Sequence, residues 1–216
     1  MAPLRGKEAA WGVVVPVKHL DVAKSRLAAY GEGARRDLAL AFAADVVRAA
    51  LDCPVVREVL VVTDDEQAAA ALAAMGARVA RDDPDAGLNP ALAHGADLLR
   101  AGDPGLGVVT VSADLPALNP QDLAAALGAV PAGGRAFVAD SAGSGTTLLA
   151  ACAPAALLPS YGAGSSARHR ASGALELPGT PALRRDVDTP ADLREAVALG
   201  VGARTAAVAA ALPALL

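Results

Sequence analysis

The stretch "WGVVVPVKHLDVAKSRLA", residues 11–28, runs from an apolar, strand-like segment through Pro16 into Lys18, Lys24 and Arg26. A plain reversal of chain direction calls for Gly, Asn or Asp, not for three cations in one short loop. Cations and backbone amides gathered just beyond the carboxyl end of a first strand suit a polyphosphate. Asp114, in "SADLP", stands where a second apolar run ends. A carboxylate at that place is suited to holding Mg²⁺ beside the phosphates of a nucleotide. In "RRDVDTP", Asp186 and Asp188 alternate along extended chain, so their carboxylates point the same way, and either completes a hard-cation site with Asp114. Because "DTPADL" offers Asp188 or Thr189 as a helix cap ahead of Pro190, Asp186 is the metal ligand of choice and Asp188 is shared or structural.

Two further segments are rich in small residues, "GSGTT" (143–147) and "YGAGSSARHR" (161–170). Small residues let backbone amides approach an anion, Thr146 and Ser165 add hydroxyl donors, and Arg168 and Arg170 add charge for an acceptor carboxylate. "GAGSSA" matches a dinucleotide-binding pattern, but it follows no clear strand and fails that pattern's structural context. G-x-x-x-x-G-K-[ST] does not occur in the chain, which excludes the P-loop mechanism. His19, His94 and His169 have no partners placed by spacing, and no Ser/His/Asp or Cys/His set emerges. The chemistry implied is transfer between phosphates, which needs no protein nucleophile.

These residues must be positioned by alternating strands and helices. "WGVVVPV", "EVLVVT", "ARVA", "LGVVTVSAD", "RAFVAD" and "GTTLLAAC" read as strands. Between or after them, residues 35–51, 64–75, 90–100, 119–130 and 189–200 have helical spacing, with Leu38, Phe42, Val46 and Ala49 on one face of the first helix and Asn119 capping the fourth. The alternation predicts one α/β domain over residues 1–216, a mostly parallel sheet with helices on both faces. Ligands of such sheets lie outside the carboxyl ends of the strands, which is where the cationic loop, "SADLP" and the later loops fall.

Composition narrows the partners. The chain has 216 residues and a formal net charge of −4, so it lacks the basic surface that nucleic acid binding requires. No apolar run is long enough to span a membrane, and the N-terminus lacks the apolar core of a signal peptide. Cys53 and Cys152 make neither a zinc site nor a disulfide framework, and a soluble cytoplasmic protein is expected. No oligomeric state follows from these features.

Taken together, "VPVKHLDVAKSRL", "SADLPAL", "FVADSAGSGTTLL", "YGAGSSARHRASGALEL" and "RRDVDTPADL" resemble the guanylyltransferases of coenzyme F-420 biosynthesis, from about residue 11 to 205. The likeness is greater to the phosphoenolpyruvate-using branch than to the 2-phospho-L-lactate branch. It implies a single Rossmann-like nucleotidyltransferase domain that joins phosphoenolpyruvate to GTP and releases pyrophosphate. On this chain the resemblance places phosphoenolpyruvate at Thr146 (with Thr147 the alternative), Gly162 and Ser165, and the Mg²⁺ aspartates at Asp114 and Asp186. It places the nucleotide at Pro16, Lys18, Lys24, Arg26 and, through "LNPAL", Asn89. Lys18, Lys24 and Arg26 would act on the phosphates of the leaving group. Two other readings stay open, a different nucleotidyl or nucleotide-sugar transferase and a non-catalytic nucleotide-binding module.

Overall fold

The computed structural model describes residues 10–83 and 85–212. The run "WGVVVP" forms β1 (Trp11–Pro16), and its side chains alternate between two apolar cores, Val13 and Val15 on one face and Val14 on the other. A strand covered on both faces has no use for polar residues, hence the continuous apolar run. Flanking β1 in parallel are β2 (Val56–Val62) and β4 (Gly107–Val111), with β3 (Arg78–Ala80) parallel at the edge. Beyond β4 lie β6 (Thr146–Ala151), β5 (Arg135–Ala139) and β7 (Leu175–Leu177), giving the order β3-β2-β1-β4-β6-β5-β7.

The mostly parallel sheet expected from the alternation is present, with β6 running against both its neighbours. The cause is the short link between β5 and β6, residues 140–145, which is too short for a parallel crossover and folds as a hairpin. That reversal brings Thr146, the first residue of β6, to the same sheet edge as the carboxyl ends of β1 and β4.

Helices cover both faces, as the alternation predicts. One face packs against α1 (Glu32–Leu51), α2 (Glu66–Ala73) and α4 (Pro120–Gly128). The other packs against α3 (Leu88–Gly102) and α5 (Ser165–Ala171). The axis of α3 lies so close to the sheet that a Cβ on Gly95 would sit 2.7 Å from Val14 Cγ1 and 3.1 Å from Val62 Cγ2, so Gly95 alone permits this approach.

The helix α1 has more than the single apolar face read from its spacing. Ala43, Val46, Val47 and Ala50 face the sheet, while Leu38 and Phe42 enter a third core with Val187, Leu193 and Ala196. Covering that outer side are α7 (Pro190–Leu199) and α8 (Ala203–Ala210). The buried Asp45 carboxylate on α1 accepts the first N–H groups of α8, from Arg204 and Thr205, and so fixes the C-terminal helix to its own domain. A short α6 (Pro181–Arg184) precedes α7. Among the described residues no helix is long and apolar enough to cross a membrane.

Candidate active site

At the carboxyl end of the sheet opens a cleft of about 600 Å³, well within the range of ligand sites. Its walls bring together Pro16, Lys18, Lys24 and Arg26 from the loop after β1, Asp114 beyond β4, and Thr146 at the start of β6. Gly162 and Ser165 before and in α5, together with Asp186 and Asp188 before α7, complete the lining. Of the candidate residues, Asn89, Arg168, Arg170 and the alternative Thr147 do not line it.

The helix starting after "RRDVD" decides the role of Asp188. Thr189 is the N-cap of α7, accepting from the Asp192 N–H while the Asp192 carboxylate accepts from Thr189 N–H. Asp188 is thereby released from capping. Val187 between the two aspartates is fully buried, and its N–H donates to the Asp114 carbonyl at 3.0 Å. That bond ties the segment to the end of β4 and leaves Asp186 and Asp188 both on the cleft wall with Asp114.

Lys24 sits among these carboxylates. Its ammonium donates to Asp114 Oδ2 at 2.5 Å and to Asp188 Oδ1 at 2.7 Å. Burial by itself would lower the lysine's pKa, but the two carboxylates outweigh it and hold Lys24 above its ordinary value, so it stays charged. The expectation that all three cations of the loop project toward phosphates is therefore corrected. Lys18 and Arg26 line the cleft with no ion-pair partner among the described residues, while Lys24 is committed to the acidic cluster.

Asp114 Oδ1 is buried without a hydrogen-bond partner. Burial, and then the charge of Asp114 beside it, push the Asp186 carboxyl up to about 6. An orphaned carboxylate oxygen facing a carboxyl that resists ionisation marks negative charge one cation does not neutralise. No three His, Cys, Asp or Glu side chains among the described residues form a metal cage by themselves. Two carboxylates nevertheless fit Mg²⁺, which keeps water and substrate phosphate in the rest of its shell.

Elsewhere on the cleft wall, Thr146 is buried and its Oγ1 accepts from Ser165 Oγ at 3.0 Å. Thr147, the alternative, points to the opposite face of β6 and donates to the Leu183 carbonyl at 2.6 Å, so Thr146 is the residue the cleft can use. Gly162 has a φ of +119°, which favours glycine over residues with a Cβ.

The segment 160–164 is held by residues first read as ligand contacts. Asn89 lies in the first turn of α3, which starts at Leu88, and its amide pairs with the backbone of Tyr161 in both directions. Nδ2 donates to the Tyr161 carbonyl at 3.2 Å and Oδ1 accepts the Tyr161 N–H at 2.6 Å. Asn89 is thus a clamp on this segment, set back from the cleft lining. Arg168 donates to the Ser160 and Ala163 carbonyls, and Arg170 pairs with Glu176 and lies over the Phe137 ring. Neither arginine lines the cleft, which corrects their assignment as carboxylate anchors.

The comparisons with known proteins now bear on this geometry. Residues 38–182 match the MobA-like NTP transferase domain. A phosphoenolpyruvate guanylyltransferase from Thermomonospora curvata is 57% identical over 209 residues, covering 96% of this chain and 92% of that protein. One from Streptomyces coelicolor is 56% identical, covering 94% and 97%. The chain belongs to the phosphoenolpyruvate guanylyltransferase family. A Methanothermobacter nucleotidyl transferase of known structure shares the guanylyltransferase family's fold, with a TM-score of 0.62, 22% identity, and coverage of 88% of this chain and 97% of that one.

Sequence reasoning missed the residue that holds this guanylyltransferase's cationic loop. Arg35, buried in the first turn of α1, donates to the carbonyls of Leu20 and Asp21 at 2.8 Å each, to that of Ala23, and to the Glu32 carboxylate. From the other side, Asp65 Oδ2 accepts the Leu20 N–H at 2.9 Å. The one local signal for Arg35 in "GEGARRDL" is the i,i+3 spacing of Glu32 and Arg35. Arg35→Met should cost about 2–3 kcal/mol of stability, because several buried carbonyls lose their donor together. It should also raise KM for the nucleotide before that for the acceptor. Urea unfolding with m unchanged measures the first; a loss under about 0.5 kcal/mol would mean that water replaces the guanidinium without cost.

Proposed function

We propose that this chain transfers the guanylyl group of GTP to the phosphate of phosphoenolpyruvate and releases pyrophosphate. The observation that carries this reading is one cleft lined by two unlike sets of residues. Asp114, Asp186, Asp188 and Lys24 make a charged set joined by ion pairs from Lys24, and Thr146, Gly162 and Ser165 make an uncharged one. Its support from relatives is the family membership above.

A phosphate oxygen of phosphoenolpyruvate attacks the α-phosphorus of GTP in line, and the bond from that phosphorus to the pyrophosphate oxygen breaks. Lys18 and Arg26, the cations with no protein partner among the described residues, bind the departing β- and γ-phosphates. Thr146, Gly162 and Ser165 hold the acceptor so that its phosphate faces the nucleotide. Mg²⁺ held by Asp114 and Asp186 would supply neutralisation of the charge that builds on the transferring phosphoryl group. Lys24 holds the Asp114 and Asp188 carboxylates in place through its two hydrogen bonds. Catalysis of this kind is positioning and electrostatics. The product, enolpyruvyl-diphospho-guanosine, would enter coenzyme F-420 assembly.

Pyrophosphate release with GTP and Mg²⁺ tests the reading, with phosphoenolpyruvate, 2-phospho-L-lactate and 3-phosphoglycerate supplied separately and products identified by mass. Release with phosphoenolpyruvate, giving the guanylylated enolpyruvate, is expected. Preference for 2-phospho-L-lactate would keep the chemistry and change the acceptor, and no release with any of the three would overturn the reading.

A further inference from the structure

His169 is fully buried, and its two ring nitrogens have separate partners. The Ser160 N–H, which can only donate, points to Nε2 at 3.0 Å. Nε2 must therefore be unprotonated, and the proton of the neutral ring sits on Nδ1, 2.9 Å from Thr146 Oγ1. Burial, and then the positive charge of Arg168 and Arg135, hold the imidazole down at about 4, in line with a neutral ring.

This tautomer fixes the hydrogen-bond count at the acceptor wall. The Nδ1–H, the Ser165 hydroxyl and the Thr146 hydroxyl bring three protons to a cluster with two internal contacts, His169 to Thr146 and Ser165 to Thr146. With Thr146 Oγ1 accepting twice, its lone pairs are filled and its own proton has no acceptor in the cluster. Were the Thr146–Ser165 bond reversed, the Ser165 proton would be the one left over. Both residues line the cleft.

We propose that His169 is a positioning residue which, as the Nδ1–H tautomer, forces one hydroxyl proton of the Thr146–Ser165 pair into the cleft as a donor to an anionic oxygen of the acceptor. The proposal rests on the reading that phosphoenolpyruvate occupies this wall. A donor that is set before the substrate arrives needs no reorganisation when it binds. A ring with the proton on Nε2 would instead accept from Thr146 and turn that hydroxyl away from the ligand.

Two variants separate the two nitrogens. His169→Asn places an amide N–H near the Nδ1 position and keeps the donor to Thr146. His169→Gln places an amide oxygen near the Nε2 position and keeps the acceptor for Ser160 only. KM for phosphoenolpyruvate should rise roughly tenfold in His169→Gln, the worth of one lost hydrogen bond, and should stay within about threefold in His169→Asn. KM for GTP should move in neither. Equal losses in the two variants, or parallel changes for both substrates, would overturn the proposal. The ring ¹⁵N shifts of His169 in the unmodified protein give a second reading that depends on neither acceptor identity nor variant folding. A protonated Nδ1 sustains the assignment and a protonated Nε2 removes it. A native enzyme inactive toward phosphoenolpyruvate but with Nδ1 protonated would bring down the acceptor reading alone.

Discussion

Asp114→Asn should lower kcat by about 10³-fold or more while the protein stays folded, because the change removes a charge and little else. The backbone carbonyl of Asp114, which accepts the Val187 N–H, is untouched, so the link between β4 and the 185–188 segment persists. Lys24 keeps its bond to Asp188. What disappears is the charge of the Lys24–Asp114 ion pair and, beside Asp186, the one place in the cleft where, among the described residues, a buried carboxylate oxygen has no partner. Electrostatic stabilisation of phosphoryl transfer is worth several kcal/mol, and each ~1.4 kcal/mol is a factor of ten in rate. Pyrophosphate release at saturating substrates measures the loss, with circular dichroism as the check on folding. A kcat within tenfold of the native enzyme would remove Asp114 from the reaction.

Asp114 was legible in the sequence because its position follows from one rule, that ligands of a parallel sheet gather beyond the carboxyl ends of strands. The same rule found Lys18 and Arg26, and the alternation of strands and helices gave the sheet's character and its two covered faces. What the sequence concealed is contact between segments far apart in the chain. Asn89 and Tyr161 are separated by 72 positions, and nothing local tells a base contact from a backbone clamp. Arg168 looks the same in sequence whether it holds a carboxylate or the Ser160 carbonyl. His169 has no meaning until the β5–β6 hairpin reverses the chain and sets Thr146 beside it. The third core was hidden for a similar reason. The periodicity of α1 records that a side chain is buried, not which neighbour buries it, and five of the eight residues of α8 are alanine. Competing local chemistry concealed Asp188, since Asp and Thr both cap helices and only the capping box at Thr189 releases the aspartate.

Lys24→Met should leave a protein that is less stable by about 3 kcal/mol at neutral pH and that answers to Mg²⁺ more strongly than the native one. The side chain of Lys24 is 13% exposed and that of Asp114 23%, so the pair is only partly screened by water. Methionine keeps the length and apolar stem while deleting the charge, and the carboxylates of Asp114, Asp186 and Asp188 then face each other uncompensated. The loss should shrink in acid. Asp186 in the folded protein, at about 6, keeps a proton that the unfolded chain, at about 3.8, gives up. Between those values the folded state binds more protons, so relative stability rises as pH falls through 6. Lys24 also occupies the charge that a divalent ion would bring to Asp114, and its ammonium repels such an ion at close range. Without it, Mg²⁺ alone should bind at least about tenfold more tightly and recover most of the lost Tm. Thermal unfolding of both proteins at pH 7.5, with and without Mg²⁺, decides the matter. Equal Mg²⁺ responses would mean that Lys24 and the metal do not share these carboxylates. A larger response in Lys24→Met would identify the lysine as the resident counter-charge of the site, set within a loop that Arg35 and Asp65 hold and at a left-handed φ of 56° rarely adopted by lysine.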